Sequence, residues 1–108
     1  MKRRGVIRLG SYVRAGRLLP RRAAGLRARA VALRPGEVMD WHSTKSREEL
    51  LIALRGWLHV EIGRSRGAAR RIRLKSGQRL FLPTHTLHRV VNRSSRQARY
   101  IYVTALAR

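Results

Sequence analysis

Cysteine is absent from this chain of 108 residues, so it has no disulfide, no thiolate metal ligand and no cysteine nucleophile. That absence is compatible with a reducing compartment. No apolar run approaches the roughly 20 residues that a membrane-spanning helix needs. The N-terminus begins with positive charge, as a signal peptide would, but Arg8, Arg14 and Arg17 interrupt any apolar stretch after it. A cytoplasmic protein without a membrane segment is expected. Acid is scarce as well: five Asp and Glu stand against 26 Lys and Arg, a formal net charge of +21. The first 30 residues hold ten basic side chains and no acid.

Two readings of that charge compete. Arginine can neutralise phosphate and give sequence-independent affinity for nucleic acid. It can also be a compositional habit of a GC-rich or heat-adapted host, solvated on the surface. The basic residues are scattered over the whole chain and no nucleic-acid motif accompanies them, so the second reading is preferred. Contact with nucleic acid through the Arg-rich N-terminal arm remains the alternative.

What is present is one small domain's worth of apolar residues, 44% of the chain. A domain this small buries only about two-thirds of its unfolded surface, so pairing as a homodimer would help it. Residues 1–24 read as a basic arm or an edge strand, with short strands in VIRL and SYV and a loop through Leu18, Leu19 and Pro20. From Leu26 a period-two pattern takes over. In LRARAVAL, Leu26, Ala28, Ala30 and Ala32 share one face and Arg27 and Arg29 the other. VMDWH follows a turn at Arg34-Pro35-Gly36, with Val38, Asp40 and His42 on one face if the strand is regular. ELLIALRG, WLHVEIG, RRIRL, RLFL, LHRVVN and ARYIYVTAL complete the set, with RSRGAA as a hairpin loop. On the last strand Ile101, Val103 and Ala105 face one way and Tyr100, Tyr102 and Thr104 the other. Eight to ten short strands, turn signals every ten residues or so and no convincing helix predict an all-β sandwich or barrel.

Two stretches carry chemistry. Gly36–Gly56 holds His42 and the pair Glu48 and Glu49, and Gly77–Asn92 holds His88. Imidazole nitrogen and carboxylate oxygen together suit a divalent transition metal: iron, manganese, nickel, copper or zinc.

The spacing of these residues resembles that of the cupin superfamily. Gly36 is followed by five residues, His42-Ser43-Thr44, four residues, Glu49, six residues and Gly56. Gly77 is followed by five residues, Pro83-Thr84-His85, two residues, His88, three residues and Asn92. Both spacings match the family's two motifs along their whole length. The resemblance covers about Leu26 to Ala105. It implies a double-stranded β-helix, or jelly-roll, over residues 25–108. It also implies metal ligation by His42, Glu49 and His88. Two positions depart from the family pattern. Thr44 stands where the family has its second motif-one His, and His85 where it has a Gly. His85 would then either supply the missing ligand or simply tolerate the turn geometry of the Gly it replaces.

Around that core, Asp40 is a candidate to orient a ligand imidazole, and Thr44 to bond a metal-bound water or end the strand. Trp41 and Trp57 are read as packing or interface residues and His59 as a surface residue. Tyr100 and Tyr102 would line the barrel or cover a dimer interface. The superfamily includes dioxygenases and isomerases, so a metal-dependent oxidoreductase or isomerase acting on a small molecule in the barrel is one expectation. A ligand-binding barrel without turnover is the other.

Overall fold

A computed structural model describes residues 7–12, 15–63 and 68–107. The strands are β1 (Gly16–Arg17), β2 (Leu26–Leu33), β3 (Val38–Ser43), β4 (Arg47–Arg55), β5 (Trp57–Gly63), β6 (Ala68–Lys75), β7 (Arg79–Leu82), β8 (Leu87–Val91) and β9 (Ala98–Leu106). They form two antiparallel sheets, ordered β1-β2-β9-β4-β7 and β3-β8-β5-β6. The fold is the expected all-β jelly-roll barrel. Among the described residues no helix is long and apolar enough to cross a membrane.

The N-terminal strands expected in VIRL and SYV do not form over residues 7–12. Val6 and Val13 lie outside the described residues, as do residues 64–67 of the RSRGAA hairpin. A two-residue strand forms instead at Gly16–Arg17, paired with Ala30 and Arg29.

Register shows what each strand turns inward, because directly paired residues project from the same face of a sheet. Three rows cross the larger sheet. Arg27, Thr104, Glu49 and Leu82 form the first, and Arg29, Tyr102, Leu51 and Leu80 the second. Val31, Tyr100 and Ala53 form the third. The interior is therefore layered from charged to apolar. Leu51, Ala53, Leu58, Val60, Leu74, Leu82, Val90 and Tyr100 belong to the buried apolar core, with Val31 and Leu80 packed against it. The apolar row of β9 faces the other way: Ile101, Val103 and Ala105 are only half-buried, while Tyr100 and Thr104 are buried.

Strand β3 is not regular. Met39 pairs with Val90, and His42 pairs with His88, so three steps on β3 answer two on β8. This is a bulge of one extra residue. It changes the parity of the strand, so that Met39 and His42 both line the interior cavity.

Two motif positions are explained by backbone geometry. Gly56 has φ +72°, and a Cβ there would lie 3.1 Å from the Gln97 carbonyl oxygen and 3.3 Å from Ala98. Asn92 is fully buried and uses its whole amide. Its Nδ2 donates to the carbonyls of Leu33 and Arg96, both at 2.8 Å, and its Oδ1 accepts from Ser94 N and Oγ. It fastens the loop before β9 to the end of β2.

Candidate metal centre

The first row of the larger sheet and the β3–β8 pair of the smaller one meet at the polar end of the barrel. There they place His42, Glu49 and His88 so that one ligand atom from each lies within 4.8 Å of the other two. Glu49 and His88 are buried and His42 is exposed. The two imidazoles are direct cross-strand partners, with ring centroids 4.2 Å apart and planes tilted by 59°.

Each ring is anchored in the same way. His42 Nδ1 lies 2.7 Å from the Asp40 carbonyl, and His88 Nδ1 lies 3.0 Å from the Thr86 carbonyl. A carbonyl can only accept, so each Nδ1 carries the proton and donates it to the residue two positions earlier. The lone pair of each ring is thereby left on Nε2. His88 Nε2 is buried and has no hydrogen-bond partner. Its nearest charged neighbour is Glu49 Oε2 at 3.4 Å. Two nitrogens and a carboxylate, with one nitrogen orphaned in the interior, fit a divalent transition metal by donor type. The sequence placed Asp40 near this centre through its carboxylate. It is the Asp40 main chain that holds His42, while the carboxylate accepts from Trp41 N at 2.7 Å.

The other sequence candidates take different places. Thr44 is buried, and its hydroxyl donates to the Pro83 carbonyl at 2.8 Å and accepts from Thr86 N at 2.9 Å. Its own N–H donates to the Thr86 carbonyl at 3.1 Å. It is a staple between the two motif segments. His85 is exposed, stands outside the His42–Glu49–His88 group and has φ 55°. It adopts the left-handed conformation for which the family uses glycine, and its N–H donates to the Lys45 carbonyl at 2.8 Å. Glu48 is exposed on the opposite face of β4.

A cavity of about 400 Å³ opens over the cluster. Tyr100, Tyr102 and Thr104 line it, together with Arg27, Arg29 and Arg47. Sequence reasoning left the tyrosines undecided and the arginines unassigned. The usable signal was β9, where a polar row of Tyr, Tyr and Thr is the one that turns inward. Burial, with the Glu49 charge nearby, pushes the Tyr100 hydroxyl well above the ordinary tyrosine value, so this hydroxyl is neutral. Burial raises Tyr102 too; the Arg29 charge works against that rise and Glu49 adds to it. Arg47 is committed to structure, with Nε donating to Thr104 Oγ1 at 2.8 Å and Nη2 to the carbonyls of Thr104 and Gly25.

A second charged group lies on the outer face of the smaller sheet. Glu61 is 1% exposed and is gripped by Arg71 at 3.0 Å, Arg93 at 2.9 Å and Arg89. Burial works to raise its carboxyl, but the Arg89 and Arg71 hydrogen bonds and the Arg93 charge outweigh this and hold it below the ordinary range. Arg89 also stacks over Trp41, and Arg73 over Trp57. Both tryptophans thus pack under guanidinium groups outside the cavity.

The model of the cupin domain family matches residues 29–104. The chain belongs to the cupin family. A comparison with curated proteins gives no match. Among solved structures, a cupin 2 conserved barrel domain protein from Salinispora arenicola is similar at 25% identity and TM-score 0.73, over 99% of this chain and 90% of that one. A Thermus thermophilus protein is similar at 24% identity and TM-score 0.71, over 85% and 83%. The Cnp3 cupin domain of Schizosaccharomyces pombe is similar at 17% identity and TM-score 0.73, over 86% of this cupin and 60% of the yeast chain. This cupin spans less than two-thirds of several of the chains it matches.

Proposed function

We propose that this cupin holds one divalent transition metal on His42, Glu49 and His88 and presents it to a small molecule in the barrel. The observation that carries the reading is the pair of imidazoles whose Nδ1 protons are tied to main-chain carbonyls, leaving both lone pairs for the Glu49 side of the cavity. When bound, such a metal supplies Lewis-acid or oxygen-activating chemistry, which corresponds to an isomerase or a dioxygenase-like oxidoreductase. The chain's own residues prepare the site. Asp40 and Thr86 fix the ring tautomers through their carbonyls, and Glu49 supplies the negative charge. Buried Tyr100 and Val90 line the inner part of the cavity. Three protein ligands leave positions open for a ligand molecule.

A binding barrel without turnover uses the same site. One observation favours it: among the described residues Glu49 is the only carboxylate lining the cavity, so once it holds metal no second one among them is left there to move a proton. We take residues 25–108 as the barrel domain and residues 1–24 as an arm, part of which, Leu19 to Arg21, lines the cavity mouth. We also propose a homodimer that pairs through the outer face of the larger sheet. There Val103, Leu50 and Phe81 form one apolar row and Ile101 and Ile52 the next, a self-complementary surface for a two-fold pairing.

The test is metal content by elemental analysis of the parent and His88→Ala. Near-stoichiometric iron, manganese, nickel, copper or zinc in the parent and its loss in the variant is the expected result. No metal in the parent, even after reconstitution, would remove the metal reading and leave the ligand-binding barrel.

A further inference from the structure

The interior face of β2 departs from the rule that strands turn apolar residues inward. Its inward row reads Arg27, Arg29, Val31, Leu33, because these residues pair with Thr104, Tyr102, Tyr100 and Ala98. Arg27 and Arg29 both line the cavity, and the Arg29 charge acts on the Tyr102 hydroxyl. Both are exposed, so their charges stay in water at the edge of the cavity, where an entering anion can meet them. Neither arginine forms an ion pair with a carboxylate among the described residues, whereas Arg71, Arg89 and Arg93 converge on Glu61. Arg17 and Arg21 join them at the cavity, against Glu49 as its one acid among the described residues.

The placement relative to the metal cluster is set by register. Arg27, Thr104 and Glu49 share one row across β2, β9 and β4, so Arg27 and Glu49 lie two strand spacings apart, about 10 Å between backbones. Long side chains shorten that gap to the span of a small molecule. A cavity of about 400 Å³ is of the size that holds one.

We infer that the cavity takes a small organic dianion, with one acid group at the His42–Glu49–His88 cluster and the other held by Arg27 and Arg29. The guanidinium forks give bidentate recognition of a carboxylate or phosphate end. The inference rests on the metal reading for one end of the ligand, and on β2 alone for the other.

Succinate is the probe, with succinamide as its neutral counterpart, titrated calorimetrically in low salt against the zinc-loaded and the metal-free protein. Bound zinc is counted separately by elemental analysis. The expected result is succinate binding that weakens about tenfold or more for each of Arg27→Gln and Arg29→Gln. Zinc content stays unchanged in both variants, Arg96→Gln has no effect, and succinamide does not bind. Arg96 is exposed and outside the cavity, and so controls for lost charge alone. The single variants keep the backbone pairing of β2 and are checked by their melting temperatures. Charge-retaining Arg29→Lys is read beside them and recovers part of the loss. Equal succinate affinity in parent and Gln variants, equal binding of succinamide, or no succinate binding to either form would overturn the proposal. If zinc fails to load, the metal reading fails by itself. Arginine-dependent succinate binding by the metal-free protein then upholds the clamp, and its absence there refutes it.

Discussion

His88 Nε2 and Glu49 Oε2 face each other at 3.4 Å inside the barrel without a hydrogen bond between them. With Nδ1–H given to Thr86, a neutral imidazole offers only a lone pair to the carboxylate. Two acceptors in that position call for a cation between them. Glu49→Gln tests this arrangement. It should lower zinc affinity at least about tenfold, the lower bound set by the cost of losing residues one shell further from a metal. It should leave the metal-free protein no less stable, because the new amide can donate to Nε2. Zinc titration and thermal melts of the metal-free form check the two halves. Unchanged affinity would remove Glu49 from the ligand set.

Thr44 joins the two motif segments rather than serving a ligand. Thr44→Val keeps its shape and removes the hydroxyl, leaving the Thr86 N–H without its acceptor. A loss of about 1–3 kcal/mol in urea unfolding is expected, with metal stoichiometry retained. Loss of metal without loss of stability would show that the hydroxyl acts at the centre instead.

Glu61 makes stability depend on pH. Its carboxyl titrates lower when folded than the ordinary glutamate value of 4.5. The unfolded chain therefore takes up a proton first as pH falls. The stabilisation is fully present above 4.5 and is lost as pH drops through the depressed folded value. Melting temperature should fall across this acid window in the parent and fall less in Glu61→Gln. At neutral pH that variant should lose about 2 kcal/mol, less than for a fully buried pair, because its arginine partners are partly exposed. Parallel acid limbs for the two proteins would exclude Glu61 as the source.

Phe81 is 55% exposed at the end of the apolar row with Leu50 and Val103. If copies pair through this face, Phe81→Arg should turn a dimer into a monomer by light scattering at micromolar concentration, with little change in the melting temperature of the monomer. A parent that is already monomeric would refute the pairing.

Much of this molecule was legible in one dimension. Period-two alternation located nearly every strand. Motif spacing brought His42, Glu49 and His88 together, since fixed separations between turn glycines and ligands hold the same strand ends in register. His85 kept its turn because the left-handed backbone there is a local demand that His can meet. What the sequence alone could not decide was which face of a strand turns inward, and what a polar side chain finds when it gets there. Both faces of β2 and β9 are plausible in isolation. Pairing of Arg27 with Thr104 and of Arg29 with Tyr102 settled the choice and turned arginines toward the cavity. The bulge between Met39 and His42 changed the parity of β3, so Asp40 acts through its carbonyl. Glu61 found three arginines from two neighbouring strands and the loop after β8. Alternation and turn chemistry act over a few residues and can be read locally. Face, bulge and ion-pair partner depend on strands far apart in the chain, and only the folded sheets bring those together.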